Sequence, residues 1–225
     1  MREYYKAYEE RYKIIHDNGM LWEYNIPTEE LLEYLKSWSI NKKDKILDLG
    51  CGEGRDAINL LNEGYNITAI DYSKTAIKKC NELSNYKYEN KFKEFDIFEE
   101  ELEEKYKIIY SISVLHMFVL EKDRIKYFDF IKNHLEKDGK AFITIMGDGI
   151  MKRSTNPNTA YDLDEREVQS TSAKVYIPKT SCCIVDWNTF EHEVQRAGLI
   201  IKRKWVSNNI PGFNESMCAI LCRKK

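Results

Sequence analysis

The chain lacks a surplus of charge of either sign, with 35 Lys and Arg against 37 Asp and Glu over 225 residues. No global field would draw it to a phosphate backbone or an anionic membrane, so neither nucleic acid nor membrane is expected as a partner. It also lacks a long apolar run. The longest nearly apolar stretch, Ile108 to Leu120, is interrupted by Ser111, Ser113 and His116 and falls well short of the ~20 apolar residues that span a bilayer. It reads as a buried strand. The opening Met1-Arg2-Glu3-Tyr4-Tyr5 is charged and aromatic where a secretory signal needs a basic start and then apolar residues, so export is not expected and a cytoplasmic setting is. The six cysteines include no C-x-x-C pair and the four histidines lie far apart, which removes zinc-ligand spacing and any expected metal. Reduced, mostly buried thiols are the simpler reading. Repeats and low-complexity segments are absent as well.

What is present is an ordered alternation. Tyr4, Tyr8 and Tyr12 recur every four residues with Ile15 behind them, an aromatic stripe on one helix whose expected use is packing. Pro27-Thr28-Glu29-Glu30 opens a second helix with Leu31, Leu32 and Leu35 facing inward. From Lys45 the pattern changes to strands and helices in turn. Strands are expected at 46–49, 66–71, 92–98, 106–114 and 140–146, with Asp138-Gly139 as the turn before the last of these. Helices are expected from Asp56 to Glu63, after a Ser73 cap, along Ile125 to Leu135, and after an Asp186 cap. Two final strands, 200–206 and 217–222, are joined by a turn-rich segment that suits an antiparallel pair. The polar stretch from about 147 to 183 has no clean period and reads as an insertion. The predicted fold is α/β: a Rossmann-like, doubly wound, mostly parallel seven-stranded sheet with an antiparallel last strand and an N-terminal helical cap. The expected division is a helical cap or lid over 1–40 and a Rossmann-like domain over 41–225.

The first strand runs directly into Gly50-Cys51-Gly52-Glu53-Gly54-Arg55. Glycines there allow a tight turn and let the backbone approach a nucleotide-like ligand without a Cβ in the way. The dinucleotide fingerprint would place its third glycine at position 55, where Arg55 stands, and no Gly-Lys-Ser/Thr follows, so a P-loop is excluded. The second strand ends in Asp71, roughly 20 residues past Gly50, where doubly wound folds set a carboxylate against ribose hydroxyls. Alone, Asp71 is equally a turn residue or a helix cap; joined to the glycine loop at this spacing it is a site residue.

The stretch KILDLGCGEGRDAINLLNEGYNITAID, Lys45 to Asp71, resembles the first two cofactor motifs of the class I S-adenosylmethionine-dependent methyltransferases. Weaker similarity extends to Phe95-Asp96-Ile97 and to Ser111 through His116, so the resemblance covers roughly residues 45–146. Within that family the GCGEGRDA loop and the strand after it look most like small-molecule methyltransferases of the tellurite-resistance and thiopurine type. The resemblance implies S-adenosylmethionine as cofactor and S-adenosylhomocysteine as product. It implies that Gly50, Cys51 and Gly52 line the methionine end, with Gly54 and Arg55 completing the loop. Asp48 orients the loop and complements the cofactor ammonium, Asp71 with Tyr72 holds ribose, Asp96 and Ile97 bound adenine, and Ser113 and Val114 lie beside the cofactor at the end of the fourth strand.

Methyl transfer from a sulfonium is an in-line displacement governed by alignment and desolvation, so a chain without a triad or metal cluster can still be an enzyme. His116, just past the fourth strand, is either a general base for an acceptor that carries a proton or a helix-start histidine packed on its neighbours. Trp22 and Tyr24 either close over the cofactor, where aromatic faces attract a cation, or pack on the sheet flank. The insertion mixes Lys152, Arg153, Lys174 and Lys179 with Asp162, Asp164, Glu165 and Glu167. It offers no uniform basic surface, and no Asn/Asp-Pro-Pro-Tyr/Phe motif follows the fourth strand, which favours a small-molecule acceptor and a monomer or homodimer. The competing functions are a non-catalytic S-adenosylmethionine sensor and a nicotinamide-dependent oxidoreductase.

Overall fold

The computed structural model describes residues 3–22, 26–168 and 171–224. A 3-10 turn at Tyr4–Lys6 precedes helices α1 (Ala7–Asp17) and α2 (Glu29–Ser37). Then come β1 (Lys45–Leu49), α3 (Arg55–Asn62), β2 (Asn66–Asp71), α4 (Lys74–Leu83), β3 (Phe92–Glu94), β4 (Tyr106–Ile112), α5 (Glu121–His134) and β5 (Leu135–Met146). The chain continues through β6 (Arg153–Ser154), β7 (Leu163–Glu167), β8 (Lys174–Pro178) and β9 (Cys183–Ile184), and ends with α6 (Trp187–Arg196), β10 (Leu199–Ser207) and β11 (Ser216–Arg223).

Seven strands form one sheet in the order β10-β11-β5-β4-β1-β2-β3. Strands β1 to β5 pair in parallel, while β11 runs antiparallel to both β5 and β10. Strand alternation sorts the apolar residues to two faces. Ile46, Ile108 and Phe142 meet Leu31 and Leu35 of α2, Leu60 of α3 and Ile77 of α4 on one side. Leu47, Ile109 and Ile143 meet Phe128 and Ile131 of α5 with Phe190 and Val194 of α6 on the other. The two helices of that second layer are tied by a buried fork: Arg124 Nε and Nη2 each donate to Glu193 at 2.7 Å. Strand order reverses between β1 and β4, so the loops at their carboxyl ends diverge and leave a crevice there.

The expected caps are in place. Ser73 Oγ accepts from the Ala76 N–H at 3.0 Å and Asp186 Oδ1 from the Thr189 N–H at 2.9 Å. Three expectations need correction. The turn assigned to Asp138-Gly139 lies inside β5, which starts at Leu135 because that side chain is fully buried. Pairing jumps from Tyr106↔Leu135 to Ile108↔Lys140, so the intervening residues bulge out, with Asp138 Oδ2 held by Lys107 Nζ at 2.5 Å. The third strand stops at Glu94 because Phe95 onward turns toward the site, the Phe95 N–H donating to Asp71 O at 2.9 Å. The insertion contains two short antiparallel pairs, β6 with β9 and β7 with β8. All five residues of β7 are exposed, so it carries no inside–outside alternation to betray it. Val168, in the connection between β7 and β8, and β8 itself pack on α1, with Ile15, Val168 and Ile177 buried together.

Candidate functional site

The loop leaving β1 is shaped by backbone that only glycine adopts cheaply. Gly50 has φ +81°, and a Cβ built there would lie 2.5 Å from Val114 Cγ2; Gly54 has φ +83°, and its Cβ would meet Cys80 Sγ at 2.8 Å. The loop is laced to β2, since the Gly50 and Cys51 N–H groups both donate to Ile70 O at 2.9 and 3.0 Å. Asp71 finishes the arrangement. Its Oδ2 accepts from the Gly52 N–H at 2.9 Å and its Oδ1 from the Ser73 N–H at 2.8 Å. The carboxylate therefore sits against the glycine turn and not in the apolar interior, and each oxygen keeps a lone pair for a ligand. Burial pushes its pKa up to about 6, against the opposing pull of the two backbone N–H bonds.

Asp71 lies on the wall of a cavity of about 680 Å³ that opens at the switch point between β1 and β4. Among the residues singled out from the sequence, Trp22, Gly50, Arg55, Asp71, Tyr72, Asp96, Ile97, Ser113, Val114 and His116 line it. Asp48, Cys51, Gly52 and Gly54 stand behind that lining. Asp48 is 3% exposed, beneath the loop and in register with Tyr110 of β4. Cys51 is packed with Cys80 in the core, and the hydrogen bond from Cys80 with burial holds its thiol well above the ordinary cysteine pKa. Tyr24 lies outside the described residues.

At the end of β4 the backbone turns through Ser113, whose φ of +58° is unusual for a residue with a Cβ and marks a strained strand end. The turn is secured by the Ser113 N–H donating to Thr144 O at 3.0 Å. It delivers His116 into the cavity wall on a 3-10 turn, Leu115–Met117. The ring meets Phe213 edge-on at 5.7 Å, and buried Nδ1 has no hydrogen-bond partner among the described residues. Burial, with Arg11 and Arg124 nearby, lowers the His116 pKa to about 4 and keeps the imidazole neutral near pH 7.

The sequence offers the N-terminal segment as a lid but does not say which of its residues reach the cavity. The roof's residues come from that segment, which is clamped across the site by side-chain bonds. Tyr5 Oη donates to Asp96 Oδ2 at 3.0 Å and Lys6 Nζ pairs with the same oxygen at 3.2 Å. Glu9 accepts from Ser73 Oγ and Thr75 Oγ1, both at 2.5 Å, and its N–H donates to the Tyr72 hydroxyl at 2.6 Å. Further along, Glu53 of the glycine loop accepts from the Trp22 N–H at 2.9 Å and lies 2.7 Å from His16 Nε2. Thr28 bonds Asp56, which also pairs with Arg55 at 3.0 Å. In the aromatic stripe, Tyr4 packs into the core and donates to Asp123 at 2.7 Å, whereas Tyr8 and Tyr12 line the cavity. Trp22 lines it too, and the Arg11 guanidinium covers its ring at 4.6 Å. The period of four marked these tyrosines; nothing in it distinguished core from cavity, and no sequence signal marked Glu9, Arg11 or Glu53.

Among the described residues no helix is long and apolar enough to cross a membrane, and no His/Cys/Asp/Glu group has the makings of a metal site.

Residues 22–201 match the family model described as "Methyltransferase domain". The "Probable S-adenosyl-L-methionine-dependent methyltransferase TehB" of Haemophilus influenzae (strain ATCC 51907 / DSM 11121 / KW20 / Rd) is 36% identical over 93 residues, 41% of this chain and 31% of that protein. The "EEF1A lysine methyltransferase 2" of Danio rerio is 33% identical over 75 residues, 33% of this chain and 32% of that one. The match thus spans about a third of the length of these curated relatives. In structure, the CcbJ methyltransferase from Streptomyces caelestis superposes with a TM-score of 0.72 at 13% identity over 99% of both chains, a likeness of fold. Sheet order, glycine turn, strand-end acid and family match agree: the chain belongs to the methyltransferase-domain family, the class I S-adenosylmethionine-dependent methyltransferases.

Proposed function

We propose that the protein transfers a methyl group from S-adenosylmethionine to a small-molecule acceptor bound in the same cavity. The observation that carries this reading is the cavity's continuity. It runs from Asp71 and Asp96 past Gly50 and Val114 to His116, beneath a roof made by α1 and the 153–182 segment. Its volume lies in the range of small-ligand sites, ~300–1,000 Å³.

The donor set fits an adenosyl ligand. Asp71 has free lone pairs for two ribose hydroxyls, Ile97 and Phe95 offer apolar surface for a base, and Asp96 offers an acceptor beside them. When bound, S-adenosylmethionine would supply a methyl carbon activated by its sulfonium, whose carbon–sulfur electron pair would leave on sulfur as an acceptor lone pair formed the new bond. The chain then has to hold the acceptor in line, exclude water and receive any proton the acceptor gives up. The roof residues Tyr5, Tyr8 and Tyr12 serve exclusion. His116, neutral near pH 7, serves as the proton acceptor. On this reading residues 1–40 act as a lid on a domain spanning 41–225, and the insertion at 147–183 shapes acceptor choice.

The test is S-adenosylhomocysteine production across a library of small acceptors, paired with calorimetric titration of S-adenosylmethionine, NADH and NADPH. The expected result is saturable binding of S-adenosylmethionine alone and turnover with at least one small acceptor. Firm binding without turnover would favour a sensor, and binding only of a nicotinamide cofactor would overturn the proposal.

A further inference from the structure

Glu9 stands on α1, yet its carboxylate and its N–H are both bonded to one short stretch of chain, the turn that follows Asp71. The carboxylate accepts from Ser73 Oγ and Thr75 Oγ1, both at 2.5 Å, and from the Thr75 N–H at 3.2 Å, while the Glu9 N–H donates to the Tyr72 hydroxyl at 2.6 Å. The acid of one helix thus caps the N-terminus of another, α4, where the positive end of the helix dipole favours an anion. Ser73, which is fully buried, passes the contact on. Its hydroxyl donates to Glu9 and accepts from the Ala76 N–H at 3.0 Å, and its own N–H donates to Asp71 Oδ1 at 2.8 Å.

This contact has an electrostatic cost at the ribose end. A like charge disfavours the ionised form of its neighbour. Burial raises the Asp71 pKa, and the Glu9 charge adds to that rise against the pull of the Ser73 and Gly52 N–H groups. Of the other titratable groups that face Asp71, Tyr72 and Cys51 have their hydroxyl and thiol pushed far up, so both are neutral near pH 7. Among the described residues, the charge that shifts Asp71 is therefore that of Glu9. Glu9 is not part of the cavity lining, so it reaches a ligand only through the residues it holds. A carboxylate is kept beside the acid that must be ionised to serve two ribose hydroxyls, and what it contributes there is geometry. It fixes the stretch from Tyr72 to Thr75 and, through Ser73, the direction of the Asp71 carboxylate.

We propose that Glu9 is a positioning residue for the cofactor's ribose: the docking of α1 on the start of α4 sets Ser73, and Ser73 sets Asp71. The proposal rests on the methyltransferase reading of the cavity and names the residue through which the N-terminal segment acts on the cofactor. Tyr5 and Lys6 anchor the same segment on Asp96 at the adenine end, so the segment is tied to both acids of the nucleoside site.

Calorimetric titration with S-adenosylhomocysteine, on the native protein, Glu9→Ala and Glu9→Gln at about pH 5 and pH 8, provides the test. Glu9→Ala is expected to weaken binding at the higher pH by about tenfold or more, because Asp71 loses its fixed direction. In Glu9→Gln the amide oxygen still accepts from one hydroxyl and the NH₂ donates to the other, so affinity there should stay within about threefold of native. Both variants lose the like charge. The rise in affinity between the two pH values, about tenfold in the native protein from an Asp71 pKa of about 6, should therefore be smaller in each. A residue with a merely structural role would lower the melting temperature and leave these ratios alone. In an Asp71→Asn background Glu9→Ala should cost no more than about threefold, because the carboxylate it positions is already gone. Unchanged affinity in Glu9→Ala at the higher pH, or the full tenfold loss in the Asp71→Asn background, would overturn the proposal and leave the methyltransferase reading standing. Should Glu9→Ala fail to fold, Glu9→Gln decides, and a pH ratio equal to the native one overturns the proposal. Failure of S-adenosylhomocysteine to bind the native protein would remove both.

Discussion

Replacing Asp71 by Asn separates the two things this carboxylate does. In the folded protein its pKa rises from 3.8 to about 6, so at neutral pH the empty protein bears a cost of about 3 kcal/mol for holding it ionised. The sign follows from the raised value. The stabilising share of this group is complete below pH 3.8 and is lost as pH climbs through about 6. Asn removes that cost, but it turns an NH₂ toward either the Gly52 or the Ser73 N–H, leaving one of them without its acceptor, a loss of about 1–3 kcal/mol. These terms nearly cancel, so the melting temperature of the ligand-free variant should stay within about 5 °C of the native protein. The cofactor has no such compensation. Two ribose hydroxyls lose a charged acceptor and retain one neutral one, a deficit of about 2–4 kcal/mol or roughly 30- to 1000-fold in Kd. Calorimetric titration with S-adenosylhomocysteine measures it. In the native protein affinity should rise with pH up to about 6 and then level, whereas the variant should show no such rise. An unchanged Kd would refute the assignment of Asp71 to ribose, and a variant that unfolds would refute the cancellation of the two stability terms.

Other perturbations probe the remaining parts. His116→Gln should lower kcat by about 10²-fold for an acceptor that must shed a proton, and the native pH–rate profile should lack a His116 step between pH 6 and 8, because the imidazole is neutral down to about 4; a normal kcat in the variant would reduce this histidine to packing. Gly50→Ala forces a Cβ to 2.5 Å from Val114 Cγ2 at φ +81° and should cost about 2–4 kcal/mol, seen as a lower melting temperature that Val114→Ala restores only in part. Glu193→Leu strands the buried Arg124 guanidinium and should cost about 3–5 kcal/mol, read by urea denaturation; a variant as stable as the native protein would mean that α5 and α6 do not depend on the pair.

The sequence by itself determined the sheet, the helices that cover it and the glycine turn that leaves β1, because each is written in neighbouring residues. The apolar runs of β1 and β4 mark strands buried on both faces, Ser73 and Asp186 begin helices within three residues of themselves, and the glycines after β1 lie next to the strand they terminate. Asp71 was legible for the same reason: one strand and one helix separate it from the loop it meets. Tertiary structure decided which residues close the cavity. Tyr5 reaches Asp96, Glu9 reaches Ser73 and Arg11 reaches Thr180 across sequence distances at which no period or spacing relates the partners. A helical stripe of tyrosines has the same spacing whether it meets a core or a cavity, and the exposed strand β7 shows no alternation at all. An arginine reads in sequence as a solvated charge; only the tertiary structure buries Arg11 against the rings of Tyr8 and Trp22.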